Sequence, residues 1–322
     1  EVIVPALTFV ATVNAVFHVG LKPVFVDVND EDFCIDTEKI YESIAFTGRT
    51  KAVIPVHIGG HPANMKRVQW AAWKSALFII EDSCESMFVK TDEKAVGAWG
   101  AIGCFSTYAA HVISTGVGGV VTTNDDDLFI RMKSYMNHGR DPIYTRIDDD
   151  KSGDLRDIVN RRFRFIRIGH SFRSTELEAA LGVAQLEDYK EIIRRRQEIA
   201  DQFDEAFVDL PLQVQKTRKG AENARMWYPI IYDGGYRFTS LEKEVSNGRD
   251  DLVMYLEENG IETRMLLPLL NNPCYKHLKI DRDQFPVAKR LTDNGFDIGC
   301  HPEMSDDDVS YVIEKVRGYF TQ

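Results

Sequence analysis

The segment KAVIPVHIGGHPANMKRVQWAAWKSALFIIED, residues 51–82, has two short apolar runs separated by a stretch with helical spacing. KAVIPVH (51–57) and LFIIED (77–82) have the length and apolar content of buried strands, and the pattern over 64–76 predicts a helix. A strand, a crossover helix and a second strand are typical of an α/β fold with a mostly parallel sheet covered on both faces. We therefore expect functional residues beyond the carboxyl ends of the strands.

The same alternation extends along the first half of the chain. Further strands are predicted at 2–5, 22–28, 102–107 and 118–124, and further helices at 11–20, 36–45 and from 126. The charge-rich residues 141–167 have weak periodicity and predict a long functional loop or a small subdomain. The chain begins at Glu1 inside an apparent strand, so we expect the natural protein to extend upstream.

From Glu176 a helical pattern runs for about thirty residues, a length suited to a helix that links two domains. The order of elements then changes, with strands predicted near 226–232 and 261–266 and helices near 249–258, 286–294 and 305–320. We predict a large cofactor-binding domain over 1–187, with an N-terminal part that lies upstream, and a small C-terminal α+β domain over 188–322.

Composition limits the classes of partner. The formal net charge of −11 argues against nucleic acid and anionic membranes, because phosphate groups are held mainly by Lys and Arg. The five cysteines are scattered without a CxxC spacing, which favours reduced thiols over a metal site or an iron–sulfur cluster. Since no apolar span reaches about 18 residues and no signal-peptide pattern is present, we expect a cytoplasmic protein.

Three carboxylates follow the apolar run in LFIIEDSCES (77–86): Glu81, Asp82 and Glu85. At the end of a buried strand such a group lies at the mouth of a ligand crevice, where it can pair with a cationic ring nitrogen. The alternative is structural, with Asp82 or Ser83 capping the next helix.

The stretch FSTYAAHVISTGVGG (105–119) combines Ser106, His111 and a glycine run. Hydroxyls and successive glycine N–H groups can hold a phosphate. The alternatives are a hairpin turn and a histidine without a chemical role.

Together these stretches resemble the DegT/DnrJ/EryC1/StrS family of sugar aminotransferases over nearly the whole chain. The carrying motifs are VIVPALTFVATVNAV, KPVFVDV, VIPVHIGGHPANM, IIEDSCES, GCFSTYAAHVISTGVGGVVTTND, NHGRD, IGHSFRSTELEAALGVAQLE, IETR and GFDIGCHPEMSDDD. The resemblance implies an aspartate aminotransferase-like, fold-type I enzyme that uses pyridoxal phosphate or pyridoxamine phosphate. It also implies a homodimer, since the cofactor sites of this fold are built between subunits.

The resemblance assigns roles residue by residue. Asp82 matches the aspartate that pairs with the pyridine nitrogen, and Glu85 takes the place of a residue, often Gln, near the ring hydroxyl. Phe9 matches an aromatic that stacks on the ring, and Ser106 a serine that binds the phosphate. Ser171 stands where the family usually has an asparagine that reaches the phosphate of the neighbouring subunit.

His111 occupies the position of the lysine that binds the cofactor covalently. The same exchange marks a branch of the family, the 3-dehydratases of nucleotide-linked 4-keto-6-deoxy sugars. There a histidine moves the proton at pyridoxamine phosphate and the C3 hydroxyl leaves. The motif NHGRDPIYTR lacks a cysteine, so the comparison is with the subgroup that has no iron–sulfur cluster and restores pyridoxamine phosphate with glutamate.

Three departures keep alternatives open: Val112 stands where relatives often have a second histidine, Val117 where a glutamate is common, and no Gly-Thr helix for the cofactor phosphate precedes Glu1. The leading interpretation is C3 dehydration of a nucleotide-linked 4-keto-6-deoxyhexose with His111 as acid and base. One rival is a pyridoxal-phosphate-dependent nucleotide-sugar aminotransferase. The other is a catalytically silent homologue that binds a sugar nucleotide.

Other candidates carry weaker signals. His57 and His61 are four apart, but the glycines between them argue against a helix face and so against a metal site. Arg264 matches a position that often faces the substrate, with a salt bridge at the domain seam as the alternative. A basic cluster can meet a nucleotide diphosphate or be a solvated face; it comprises Arg161, Arg162, Arg164 and Arg167.

Overall fold

The computed structural model describes residues 1–45, 48–141, 154–234 and 248–321. Its first part contains the strands β1 (Val2–Pro5), β2 (Pro23–Val26), β3 (Ala52–Val53), β4 (Phe78–Asp82), β5 (Lys90–Thr91), β6 (Lys94–Ala95), β7 (Ile102–Ser106) and β8 (Gly119–Thr122). The larger sheet has the order β2-β1-β3-β4-β7-β8, and β5 pairs with β6 separately. Neighbouring strands of the larger sheet are parallel except β7 and β8.

Helices lie between these strands and after them: α1 (Val10–His18), α2 (Thr37–Ala45), α3 (Met65–Lys74), α4 (Asp126–Tyr135) and α5 (Leu155–Arg161). The α/β fold with a mostly parallel sheet is thus confirmed. The predicted strand over 51–57 is shorter than expected. Its regular pairing stops at Val53, close to Pro55, which has no N–H to donate, although the Pro55 carbonyl still accepts the N–H of Asp82 at 3.0 Å.

A long helix, α6 (Glu176–Phe207), leads into the second part of the chain. It begins with a capping box, in which the N–H of Thr175 donates to Glu178 at 2.6 Å. The elements that follow are β9 (Gln213–Val214), β10 (Tyr228–Ile231), α7 (Gly248–Glu258), β11 (Thr263–Met265), α8 (Pro286–Asn294), β12 (Gly295–Ile298) and α9 (Asp306–Thr321). Their strands form an antiparallel sheet in the order β11-β12-β10-β9.

The two sheets share buried contacts. One apolar cluster joins Val28 and Phe33, from the loop after β2, to Leu266 and Leu291 of the second part. Across the same contact the buried Asp27 accepts the N–H groups of Val287 and Ala288 in the first turn of α8, at 3.1 and 2.8 Å. The boundary between 187 and 188 falls inside α6, and the division into two domains stays a prediction.

Two further expectations concern segments of the chain. Residues 142–153 of the predicted loop lie outside the described residues, and part of the remainder forms α5, capped by Asp154. Among the described helices, none is long and apolar enough to cross a membrane.

Candidate active site

Asp82 ends β4 at the carboxyl edge of the larger sheet. Its Oδ2 accepts a hydrogen bond from the Thr12 hydroxyl at 2.7 Å, and its Oδ1 accepts one from the N–H of Cys84 at 3.3 Å. The Thr12 hydroxyl also lies 3.0 Å from the hydroxyl of Thr8. The carboxylate therefore caps the turn after β4 and is held in one direction by a residue from the first turn of α1.

Glu81 points to the opposite face of β4, as strand alternation requires. Its fully buried oxygens accept hydrogen bonds at 2.6 to 3.2 Å from the N–H groups of Gly97, Trp99 and Gly100 and from His57 Nε2. His57 Nδ1 accepts the N–H of Ala63, so the ring proton is on Nε2 and is donated to Glu81. Glu81 and His57 therefore stabilise the loops around the site and do not face a ligand.

Glu85 is partly buried, and its Oε2 accepts the N–H of Gly59 at 2.6 Å. Burial raises the pKa of Glu85 to about 8; the negative charges of Asp82 and Asp297 act in the same direction, while hydrogen bonds from Gly59 and Trp227 oppose it. At neutral pH this carboxyl is mostly protonated, so it can donate a hydrogen bond to an oxygen of a ligand.

The loop that carries His111 follows β7, which ends at Ser106. The hydroxyl of Ser106 accepts the N–H of Tyr108 at 3.2 Å, and the N–H of His111 donates to the Tyr108 carbonyl at 2.9 Å. Val112 and Ile113 are buried, at 3% and 5% exposure, in an apolar cluster. The position of the relatives' second histidine thus has a packing role in this chain.

The imidazole of His111 is partly buried, in the loop after β7, the strand whose Cys104 pairs with Asp82. Burial lowers the pKa of His111, a backbone hydrogen bond at Cys84 and the negative charge of Asp82 oppose that shift, and the positive charge of Arg196 adds to it. Its Nδ1 is buried and has no hydrogen-bond partner among the described residues. A neutral imidazole with an unpartnered nitrogen can accept a proton near neutral pH.

The remaining predicted residues lie nearer the surface. Phe9 is 59% exposed at the N-cap of α1, one turn before Thr12. Ser171 is exposed and forms an isolated antiparallel bridge with Asn137, and Arg162 is exposed as well. In the described part of the chain no hydrogen bond links Ser171 or Arg162 to the cluster of Asp82, Ser106 and His111.

Several of the predicted arginines are engaged by acidic or polar neighbours. Arg264 donates to Glu262 at 3.0 Å within its own strand region, and its side chain is 68% exposed. The Asp141 carboxylate lies 2.5 Å from the guanidinium of Arg161 and 3.8 Å from that of Arg164, and the guanidinium of Arg167 donates a hydrogen bond to the Ser134 hydroxyl. For these three arginines, the contacts favour the alternative of a basic surface without a ligand.

A second polar group, apart from Asp82, Ser106 and His111, brings Asp32, Cys34 and His61 together, with possible ligand atoms within 4.8 Å of one another. His61 Nε2 accepts the N–H of Arg218 at 2.9 Å, so the ring proton is on Nδ1, which faces Cys34 Sγ at 3.8 Å. A metal-bound histidine would instead donate from its other nitrogen. The arrangement favours a hydrogen-bonded cluster, and burial with the charge of Arg218 lowers the pKa of His61 to about 3.

Sequence reasoning missed Thr12, Gly59 and Trp227. The sequence did contain a signal for Thr12, because it follows Phe9 by three residues and so lies on the same side of the helix start. The sequence contains no such spacing for Gly59 and Trp227, which reach Glu85 from segments distant along the chain.

These side chains fit a pyridoxal ring. Asp82 offers a fixed carboxylate for a ring nitrogen, Phe9 offers an exposed aromatic face, and the partly buried imidazole of His111 offers a base. The sequence resemblance predicts that His111 stands at the covalent position, and an imidazole does not form a stable imine with an aldehyde.

Comparison with known proteins gives consistent matches. A sequence model of the DegT/DnrJ/EryC1/StrS aminotransferase family matches residues 1–317. The GDP-perosamine synthase of Escherichia coli O157:H7 is 31% identical over 322 residues, covering 100% of this chain and 79% of that protein. A structure of a DegT DnrJ EryC1 StrS aminotransferase from Brucella abortus is 28% identical, with a TM-score of 0.83 and coverage of 100% and 79%. A GDP-4-keto-6-deoxymannose-3-dehydratase with one histidine replaced by asparagine and GDP-perosamine bound is 27% identical, with a TM-score of 0.84 and coverage of 98% and 80%.

Proposed function

Because this chain belongs to the DegT/DnrJ/EryC1/StrS aminotransferase family, whose cofactor is pyridoxal phosphate or pyridoxamine phosphate, we propose that it acts on a nucleotide-linked keto sugar with His111 moving the proton at the cofactor. The observation that carries the proposal is a partly buried imidazole, His111, in the loop after β7, the strand that pairs with β4 at Asp82; the family resemblance assigns this position to the lysine.

Bound pyridoxamine phosphate supplies an amine for the sugar ketone and a ring that withdraws electrons from the neighbouring carbon. Asp82, oriented by Thr12, would keep the ring nitrogen protonated. Phe9 would stack on the ring, and the Ser106 hydroxyl would hold the phosphate. Glu85, protonated at neutral pH, would donate a hydrogen bond to the ring hydroxyl.

With the cofactor and the keto sugar bound, the His111 imidazole would accept a proton and return one later in the cycle. Its lowered pKa suits the first step, because the imidazole is neutral before it acts. Since a histidine leaves the cofactor without a covalent bond to the chain, contacts such as those of Asp82 and Ser106 have to retain it.

The same proton transfer can end in two reactions. In amino transfer the proton goes to the sugar carbon and the nitrogen stays on the sugar. In dehydration the C3 hydroxyl leaves, and later hydrolysis releases ammonia and a 3-deoxy-4-keto sugar. The comparisons support amino transfer better, since the family is named for aminotransferases and the 31% identical relative is a GDP-perosamine synthase. Dehydration is supported by His111 and by likeness to a 3-dehydratase.

Product analysis separates the two reactions. The full-length protein would be incubated with pyridoxamine phosphate, glutamate as amino donor and GDP-4-keto-6-deoxymannose. Nitrogen retained on the sugar indicates amino transfer, while released ammonia with a 3-deoxy product indicates dehydration. If neither form of the cofactor binds, the catalytically silent homologue is the correct alternative.

We also propose a homodimer. Large apolar side chains around α5 and the start of α6 are exposed, and Ile168, Phe163 and Leu177 reach 96%, 83% and 78%. Large apolar side chains that are exposed together on one part of a protein mark protein–protein interfaces. Ser171 lies in the same segment, which supports a role toward the phosphate of a second subunit. Sedimentation velocity of the full-length protein tests this, and a monomer at micromolar concentration would contradict it.

Arg264 and Arg162 are proposed contacts for the anionic part of the nucleotide sugar. Both side chains are exposed cations, and guanidinium groups bind diphosphates in bidentate geometry. Substitution of either by Met should raise the KM for the nucleotide sugar and leave cofactor affinity unchanged.

A further inference from the structure

The loop that carries His111 lies against one face of α6. Gln185 Oε1 accepts the N–H of Ser114 at 3.3 Å. One turn earlier, a side chain at Gly182 would place its Cβ 3.2 Å from the methyl group of Thr115. Both contacts involve the residues directly after the buried pair Val112 and Ile113.

The later turns of α6 hold the buried part of the loop. The rings and branched chains of Tyr189, Ile192 and Ile193 pack in one apolar cluster with Val112 and Ile113. The spacing from 182 through 185 and 189 to 192 is the repeat of a single helix face. That face of α6 therefore runs beneath the loop from Val112 to Thr115.

The loop is held by one hydrogen bond within itself and by contacts with α6. Within the loop, the Thr115 N–H donates to the carbonyl of Thr107, directly after β7, at 2.8 Å. Apolar packing against α6 opposes movement of the loop away from the helix. Because such packing is weakly directional, it does not fix the position of the loop along the helix axis. Among the described residues, the bond from Ser114 to Gln185 is the one hydrogen bond between α6 and the loop. It therefore fixes the loop along the helix.

We propose that Gln185 is a positioning residue, which holds the loop so that the imidazole of His111 stays partly buried at the edge of the sheet where Asp82 ends β4. The proposal rests on the proposed function for the role of His111 in proton transfer. Loss of the bond would let the loop open and expose the ring. The charges that act on the pKa of the ring are those of Asp82 from β4 and Arg196 from α6, and neither is removed by a change at Gln185.

The test measures how fast His111 of the full-length protein reacts with diethyl pyrocarbonate, followed by mass spectrometry of its peptide across pH. Gln185→Met keeps the length of the side chain without a polar acceptor, and Gln185→Glu restores an acceptor oxygen. Gln202→Met is the matched control, because Gln202 is an exposed residue of the same helix whose side chain, within the described residues, donates to the Glu198 carbonyl alone.

Gln185→Met should raise the reaction rate about fivefold, as loss of one neutral hydrogen bond allows, and should move the acid limb toward higher pH because burial is what lowers the pKa of His111. Gln185→Glu and Gln202→Met should match the parent in rate. Equal rates for Gln185→Met and Gln202→Met would overturn the proposal. A rise shared by the fully buried His57 would overturn it too, since it would show general loosening. Neither readout needs cofactor or substrate, so failure here is separate from failure of the proposed reaction.

Discussion

The hydroxyl of Thr12 donates a hydrogen bond of 2.7 Å to Oδ2 of Asp82, a residue 70 positions away in the chain. The bond joins the start of α1, which follows β1, to the end of β4. In the sheet β1 and β4 are separated by one strand, β3. Parallel strands bring these carboxyl ends to one edge, and the bond then fixes the direction of the carboxylate.

Thr12→Val should weaken cofactor binding about tenfold, because it removes a donor to a charged group while keeping a branched side chain. Thr12→Ser retains the hydroxyl and should bind close to the parent. The measurement is a titration of pyridoxal phosphate followed by absorbance. Equal affinities for the Val and Ser variants would show that Thr12 does not orient Asp82.

Glu85→Gln should change stability only at higher pH. The pKa of Glu85 is raised from 4.5 to about 8, so between these values the unfolded chain loses a proton that the folded chain keeps, and stability falls as pH rises. Gln stays neutral and should gain on the order of 1–2 kcal/mol at pH about 8.5, a value reduced for solvent screening at a partly exposed group. Below about pH 4.5 the difference should vanish.

Urea denaturation of the ligand-free protein at both pH values measures this. Glu262→Gln is the control, since that carboxylate is exposed and paired with Arg264. A Glu85→Gln effect of the same size at both pH values would contradict the assigned protonation of Glu85.

Asp27→Ala should destabilise the protein by about 2–4 kcal/mol, because it removes the acceptor of the buried Ala288 N–H, the partly buried Val287 N–H and the Lys39 ammonium. Asp125→Ala removes an exposed cap of α4 and should cost about 1 kcal/mol. Chemical denaturation of the two variants compares them directly. Similar losses would mean that Asp27 does not hold α8 on the larger sheet.

The rate of proton transfer should fall on the acid side with an apparent pKa below 6.5. Burial lowers the pKa of His111, so its neutral form persists at lower pH than for a free imidazole and is lost only as pH falls through the lowered value. His111→Asn should retain the cofactor and lose turnover by about 100-fold or more. The measurement is kcat/KM across pH, and a limb that persists in His111→Asn would exclude His111 as the base.

The proposed site residues are assigned by the family resemblance, because the local patterns alone leave open a helix cap at Asp82 and a histidine without a chemical role. Asp82 ends an apolar run, and His111 and Ser106 fall in a loop between two strands, so sheet topology alone brings them to one edge. The same reasoning placed Glu81 and Asp82 together. The alternation of a strand separates them, and Glu81 turns into the loops around His57.

The supporting contacts could not be predicted, because they depend on packing between distant segments. The bond from Ser114 to Gln185 and the contact of Asp27 with α8 span 71 and 261 residues and have no periodic signal. β3 ends early for a local reason, because Pro55 has no N–H to donate to a neighbouring strand. This proline is visible in the sequence, so the shorter strand could have been predicted.

The central claim, that His111 replaces the covalent lysine, is tested most directly by borohydride reduction of the full-length protein with pyridoxal phosphate, followed by mass spectrometry. We predict bound cofactor that glutamate converts to the pyridoxamine form, with no adduct on the chain. His111→Lys is the positive control and should give a reduced adduct at position 111. An adduct on any lysine of the parent protein would show that His111 does not replace the covalent lysine.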